Sequence, residues 1–351
     1  MNYIKTSELK LVGKFYFNEG EIIIWHESAV KTESETILLN EANEVYFFAN
    51  SYLVIMDEFK RSRWINRKLG IDKIIDSVNS LSSFFDETTI FQSYWNDSFT
   101  ELRLRKLDLV SEKEYWNINK TFTPAICFED FYLAYGIGDM YKIANDTNHI
   151  LWTFSFDSLT PVPKTDNYQK DAPWTVKNCI GVLEEKLWVA LNHHTIIALS
   201  MKDGTLAHFI NEIPGFHCPW LPSAIPLPEA TKISLTDNKL AGLMWEFYWE
   251  IDPKTGSINL EDHTEYFKDN NIRNDRELYI LDKELIFFVC DTSSKVVCFN
   301  RETQKLDWHY TFEEKSQSGK LPGLLEIKGD RTKFGVKDLK HNLYIFENED
   351  N

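Results

Sequence analysis

The sequence predicts an all-β protein, a single β-propeller over residues 1–351, on two observations: a turn pattern that recurs six times and a lack of helical periodicity. The copies run Val54 to Trp64, Lys106 to Trp116, Lys142 to Trp152, Ala198 to His208, Glu250 to Leu260 and Cys298 to Trp308. Each ends on an anchor residue, at 64, 116, 152, 208, 260 and 308. Between the copies lie apolar and β-branched runs bounded by Gly, Asp, Asn and Lys, the signal of strands joined by tight turns.

Each copy reads as strand, tight turn, strand. The fullest has Leu187–Leu191 and Thr195–Ser200, then the turn Met201-Lys-Asp203-Gly204, then Thr205–Ile210. Asn178–Leu183 precedes it and completes four strands, the unit of a propeller blade. Gly204 and Gly256 are expected to supply the positive φ that such turns demand. A seventh blade is read from Leu324–Lys328, Thr332–Val336 and Asn342–Phe346, and the chain then stops one strand short. Leu11–Phe17 or Glu21–Trp25 can fill that place, since a sheet left open there would expose an unpaired edge. The expectation is seven four-stranded blades with ring closure by the N-terminal strand. Six or eight also fit, because the anchor spacing varies from 36 to 56 residues.

The clearest turn, Asp252-Pro-Lys-Thr255-Gly256 with its anchor four residues later, resembles the repeats of quinoprotein-like (PQQ-like) propellers and, more distantly, of WD40-type propellers. The resemblance covers most of the chain, but only Thr255-Gly256 is complete, and His208 and Leu260 stand where the other four anchors keep Trp. It implies that Trp64, Trp116, Trp152 and Trp308 pack between blades, a structural role suited to the large apolar area of indole. Enzymatic members of that family are exported, hold a quinone with calcium and often carry adjacent cysteines. This chain shows no export signal, no Cys-Cys pair and no matching set of Glu, Asn and Asp ligands, so neither PQQ nor any other cofactor is expected.

Composition narrows the function classes. Hydrophobic residues make up 43% of the chain and aromatic residues 14%, ample for a core. With 38 Lys and Arg against 54 Asp and Glu, the formal charge of −16 disfavours nucleic acid and anionic membrane surfaces and suits a basic protein partner. No apolar leader or membrane-length segment is read. Five cysteines without CxxC spacing suit a reducing cytoplasm, with Cys290 and Cys298 placed across a hairpin from each other as small buried hydrophobes. There is no GxSxG, HExxH, P-loop, EF-hand or Rossmann fingerprint, and Gly136-Ile-Gly138 reads as a tight turn between strands.

The recurrent turns belong on one face of a propeller, and the crossovers between blades belong on the other. Two crossovers are unusually long, Asp157–Trp174 and Asn211–Pro228, and between them stands the turn Asn192-His193-His194, all converging on the fourth blade by this count. Tyr168, Trp174, Phe216 and Trp220 are candidate aromatic anchors for a partner, with His193, His194 and His217 as polar contacts. The bland reading is that these loops only cap the channel. Binding of a metal by His193, His194, His217 and Cys218 is not expected, because adjacent histidines seldom converge on one ion and the spacing matches no zinc pattern. Glu246, Tyr248 and Glu250 form a second candidate, better explained by alternation on a solvated strand. The leading function is a non-catalytic protein-interaction scaffold using the long-loop face, for instance to neutralise a toxin as an immunity protein does. An enzyme, or a small-ligand or sugar binder with its site at the channel mouth, stays open as the alternative.

Overall fold

The structure is a computed structural model that describes residues 2–349 other than 19, 27–28, 34–35, 39–43, 49–51, 57–61, 67, 76–81, 97, 99, 161–172, 217–224, 276–277 and 313–322; for 44–48, 52–53, 56 and 82–84 it describes the backbone alone. The described strands form eight four-stranded sheets, so the protein is an all-β propeller with eight blades. In chain order the blades span 14–38, 44–75, 82–119, 123–155, 176–210, 232–262 and 279–311, with the eighth at 324–348. The eighth takes its fourth strand from Tyr3–Leu9, which pairs antiparallel with Leu343–Asn348.

Closure by the N-terminal strand therefore holds, but by a different segment from the two expected. Leu11–Phe17 and Glu21–Trp25 are spent elsewhere: Lys14–Asn18 and Glu21–His26 are the first two strands of a blade of their own. Its other strands, Ala29–Lys31 and Thr36–Leu38, are three residues each and end on no tryptophan, so the turn pattern passes over them. That blade raises the count from seven to eight.

The chain divides into two compact units. One comprises Met1–Leu38, Ile180–Ala198 and Ala207–Asn351, and the other Leu39–Cys179 with Leu199–Leu206. The core of the first is built from runs such as Leu285–Cys290, whose six residues are all buried. In the second, Phe91, Leu104, Tyr132 and Ile143 form one buried cluster and Val54, Trp64, Ile90 and Leu107 another.

In the five copies whose turn lies among the described residues, the recurrent turn has one backbone conformation whatever its sequence. The residue four before the anchor has φ of 59° at Glu112, 55° at Asn148, 74° at Gly204, 70° at Gly256 and 56° at Gln304. The glycines also make room for an anchor: a Cβ on Gly204 would fall 2.7 Å from the Trp152 ring, and one on Gly256 would fall 2.5 Å from His208. Trp116 donates its ring N–H to the Asn145 carbonyl at 3.4 Å and Trp152 to the Met201 carbonyl at 3.3 Å. Each acceptor stands three residues before the positive-φ residue of the following turn. Trp116 and Trp152 thus lock onto the next repeat by one hydrogen bond each, while Trp64 donates instead to the Ser62 hydroxyl of its own repeat at 2.9 Å. Trp64 and Trp152 are buried, while Trp116 and Trp308 are half-buried and packed on core clusters.

The two cysteines do not face each other. Cys290 pairs in register with Lys295, and Cys298 with Phe287. Both are fully buried free thiols, as small hydrophobes would be.

Candidate functional site

The turn Asn192–Thr195 joins the second and third strands of the fifth blade, Lys186–Leu191 and Thr195–Ser200. His193 and His194 both have positive φ, 57° and 54°, a conformation that costs a non-glycine residue about 1–2 kcal/mol. Such a two-residue turn is ordinarily made by Asn-Gly. Two contacts offset the cost here. His193 is buried, and the Thr195 hydroxyl donates to its carbonyl at 3.0 Å. His194 lies with Nδ1 3.0 Å from the Ile225 carbonyl and 3.2 Å from that of Pro226, so the tautomer protonated at Nδ1 donates to both.

Those carbonyls belong to the crossover that follows the fifth blade. Its near end is fixed as well: Phe216 packs edge-to-face on Phe247 with ring centroids 5.1 Å apart. The other long crossover is tied at its base by Trp174, which is buried and donates its ring N–H to the Thr160 carbonyl at 3.2 Å. Of the residues singled out from the sequence, Trp174, His193, His194 and Phe216 are therefore engaged within the fold. Tyr168, His217, Cys218 and Trp220 lie outside the described residues. No group of three or more His, Cys, Asp or Glu among the described residues is placed to hold a metal ion.

The second candidate separates into two environments. Glu246 occupies the tight turn after Lys239–Met244, and its side chain is about nine-tenths buried. The backbone around it is clamped, because Trp245 and Asn274 exchange hydrogen bonds of 2.8 and 3.1 Å. Arg273 brings its Nε to 3.4 Å from Glu246 and 3.3 Å from Asp275. Burial raises the affinity of the Glu246 carboxyl for its proton; Arg273 opposes this, and the carboxylates of Asp262 and Asp275 add to it. The Asn274 side-chain oxygen is buried here without a hydrogen-bond partner. Such a carboxyl is biased toward keeping its proton, beside an arginine that is itself half-exposed.

Glu250 sits instead in a satisfied network. Arg301, almost fully buried, donates to Glu250 at 3.0 Å, to the Ser234 hydroxyl at 2.9 Å and to the Lys283 carbonyl at 2.9 Å, with Asp237 at 2.8 Å. Tyr248 and Lys239 each reach Glu250 at 2.5 Å. Despite its burial, these donors hold the Glu250 carboxyl below the ordinary glutamate range. Arg273, Asp275 and Arg301 were invisible as partners in the sequence, because each arrives from a later segment; Arg301 stands in a copy of the recurrent turn, but the pattern assigns it no role.

Nearby, His263 stacks on Phe267 with ring centroids 5.6 Å apart, and its Nε2 lies 3.9 Å from Glu261. Burial lowers its basicity, which Glu261 and Asp262 partly restore.

No known protein family and no curated protein matches the sequence. Solved structures do match in fold. The crystal structure of BamB from Moraxella catarrhalis is similar over 99% of this chain and 100% of its own, at a TM-score of 0.55 and 10% identity. The computationally designed Ika8 protein is similar over 97% of this chain and 96% of its own, at 0.57 and 8% identity. Apo AztD from Citrobacter koseri covers 85% of this chain and 86% of its own, at 0.51 and 11% identity. The likeness to these structures is one of fold alone, and it agrees with the propeller architecture.

Proposed function

We propose that this protein is a non-catalytic cytoplasmic scaffold that binds a basic protein partner through its long crossovers. One observation carries the reading: each long crossover is fastened at its base by a side chain committed to that task, Trp174 on Thr160 in one and His194 on Ile225 and Pro226 in the other. A loop held this way loses less conformational freedom on binding, which is how loops on a rigid frame gain affinity. In this reading Trp174, His193, His194 and Phe216 position the loops, and Tyr168, His217 and Trp220 touch the partner. The charge of −16 favours a cationic partner by attraction and faster encounter, as would suit neutralisation of a toxin. The free thiols of Cys127, Cys179, Cys290 and Cys298 support a reducing compartment.

The test is affinity capture from host extract with the full chain as bait. A basic protein should be recovered in stoichiometric amount, and Tyr168→Ala combined with Trp220→Ala should weaken its binding at least roughly tenfold, the loss of one or more aromatic hot spots. Undiminished binding by the double variant sinks the reading.

A further inference from the structure

A cavity of about 250 Å³ opens at one end of the fourth blade, within the unit formed mainly by Leu39–Cys179. Two segments make it. One is the crossover 120–122, where Lys120 donates its backbone N–H to the Leu102 carbonyl at 2.8 Å. The other is the Gly136-Ile-Gly138 turn between Phe131–Tyr135 and Asp139–Ala144. Gly136 lets the two approach, since a Cβ there would fall 3.0 Å from the Thr121 carbonyl, and Gly138 turns the chain at φ 85°. Phe122 is buried and fixes the floor against the rings of Tyr132 and Tyr141, at 6.1 and 5.9 Å.

The lining is mixed: Leu102, Phe122 and Ile137 are apolar, and Lys120, Thr121, Thr123 and Tyr135 are polar. Two features stand out. Ile137 is 99% exposed at the rim, an apolar side chain that the fold leaves entirely uncovered. Lys120 is half-buried, and no described carboxylate pairs with it, so burial alone lowers its basicity. A partly desolvated ammonium is costly unless an anion compensates it. In a chain of net charge −16, a half-buried lysine that no described carboxylate pairs with runs against the overall excess of acid.

We propose that this cavity binds a small monocarboxylate with an apolar body, its carboxylate on the Lys120 ammonium and its hydrocarbon part against Leu102, Phe122 and Ile137. One cation matches one negative charge. A phosphate dianion would leave a surplus charge half-buried in an already negative protein, and it would gain nothing from the apolar side chains. The volume holds on the order of ten non-hydrogen atoms, taking about 30 Å³ for each water displaced. None of the lining residues belongs to the crossovers assigned to a protein partner.

The probe is hexanoate, titrated against the full chain by calorimetry, with protection of Lys120 from an acylating reagent read by peptide mass mapping. Hexanoate should bind saturably and protect Lys120, while acetate and hexanol should each bind roughly tenfold more weakly, having lost the apolar body or the charge. Lys120→Met should weaken hexanoate at least roughly tenfold and Lys120→Arg should retain it. Should Lys120→Met fail to fold, Ile137→Ser at the exposed rim decides: weaker hexanoate binding supports the site and unchanged binding overturns it. Absence of saturable protection in the native protein, or equal affinity for hexanoate and hexanol, also overturns it.

Discussion

Glu246 and Glu250 stand four residues apart in one hairpin, and both lie beside an arginine brought from later in the chain. Around Glu250 every strong donor is matched: Arg301 is 3% exposed at its side chain and its guanidinium is shared among carboxylates, a hydroxyl and a carbonyl. Around Glu246 the match is incomplete. Arg273 is 45% exposed at its side chain, its Nε stands at 3.4 Å, and the Asn274 oxygen is left without a partner. Low dielectric strengthens a complete network and penalises an incomplete one, so the same residue type stabilises at one position and strains the fold at the other.

The sharpest break of this comparison is to remove both arginines in parallel. Arg301→Met strands Glu250 and Asp237 in the interior and is expected to cost about 3–5 kcal/mol in chemical denaturation. Arg273→Met, at a solvated position, is expected to cost less than about 1 kcal/mol. Equal losses would mean that the two clusters do not differ as described.

A second pair tests the proton affinities, whose signs oppose. Glu250 has its folded pKa lowered, so it contributes stability above the ordinary glutamate range that is lost as pH falls from that range through the lowered value. Glu246 has its folded pKa raised, so the folded state is weakened as pH climbs from the ordinary glutamate range through the raised value. Glu250→Gln should therefore lower Tm at neutral pH and flatten the loss in acid. Glu246→Gln should raise Tm at neutral pH and have little effect in acid. A Tm against pH series from 3 to 8 checks both, and a shared direction would count against the assignment.

The smallest effect concerns His194. His194→Ala should cost about 1 kcal/mol globally, the value of a net hydrogen bond. Its local effect should be larger: hydrogen exchange and proteolysis of the crossover near Ile225 should speed up, while the Trp174 crossover is unchanged. Uniform protection in the variant would show that the two carbonyl contacts do not hold the loop.

Much of the blade pattern was legible because it is local. The positive φ at Gly204 and Gly256 follows from the residues themselves, and the same register then places Glu112, Asn148 and Gln304 in the same conformation. The first blade was not legible, because strands of three residues carry too little alternation to be seen. Seven blades became eight for that reason. The long crossovers were found by their length, yet the use of their side chains was not: Trp174 looks like an exposed anchor in sequence and is buried in the fold. Lys120 carried no motif, and Ile137 stood only at the centre of the Gly136-Ile-Gly138 turn, which was read as nothing more than a turn.

The sequence by itself determined the all-β class, the four-stranded unit and the turn that repeats it, since all three depend on residues near one another in the chain. Only the tertiary structure decided which N-terminal strand closes the last blade, which arginine answers which glutamate, and which lysine lines a cavity with no described carboxylate paired to it. Those depend on pairings between residues from 11 to more than 300 positions apart, such as Lys239 with Glu250 and Tyr3 with Asn348. A linear pattern shows that such a side chain must find a partner, and packing alone selects which one it finds.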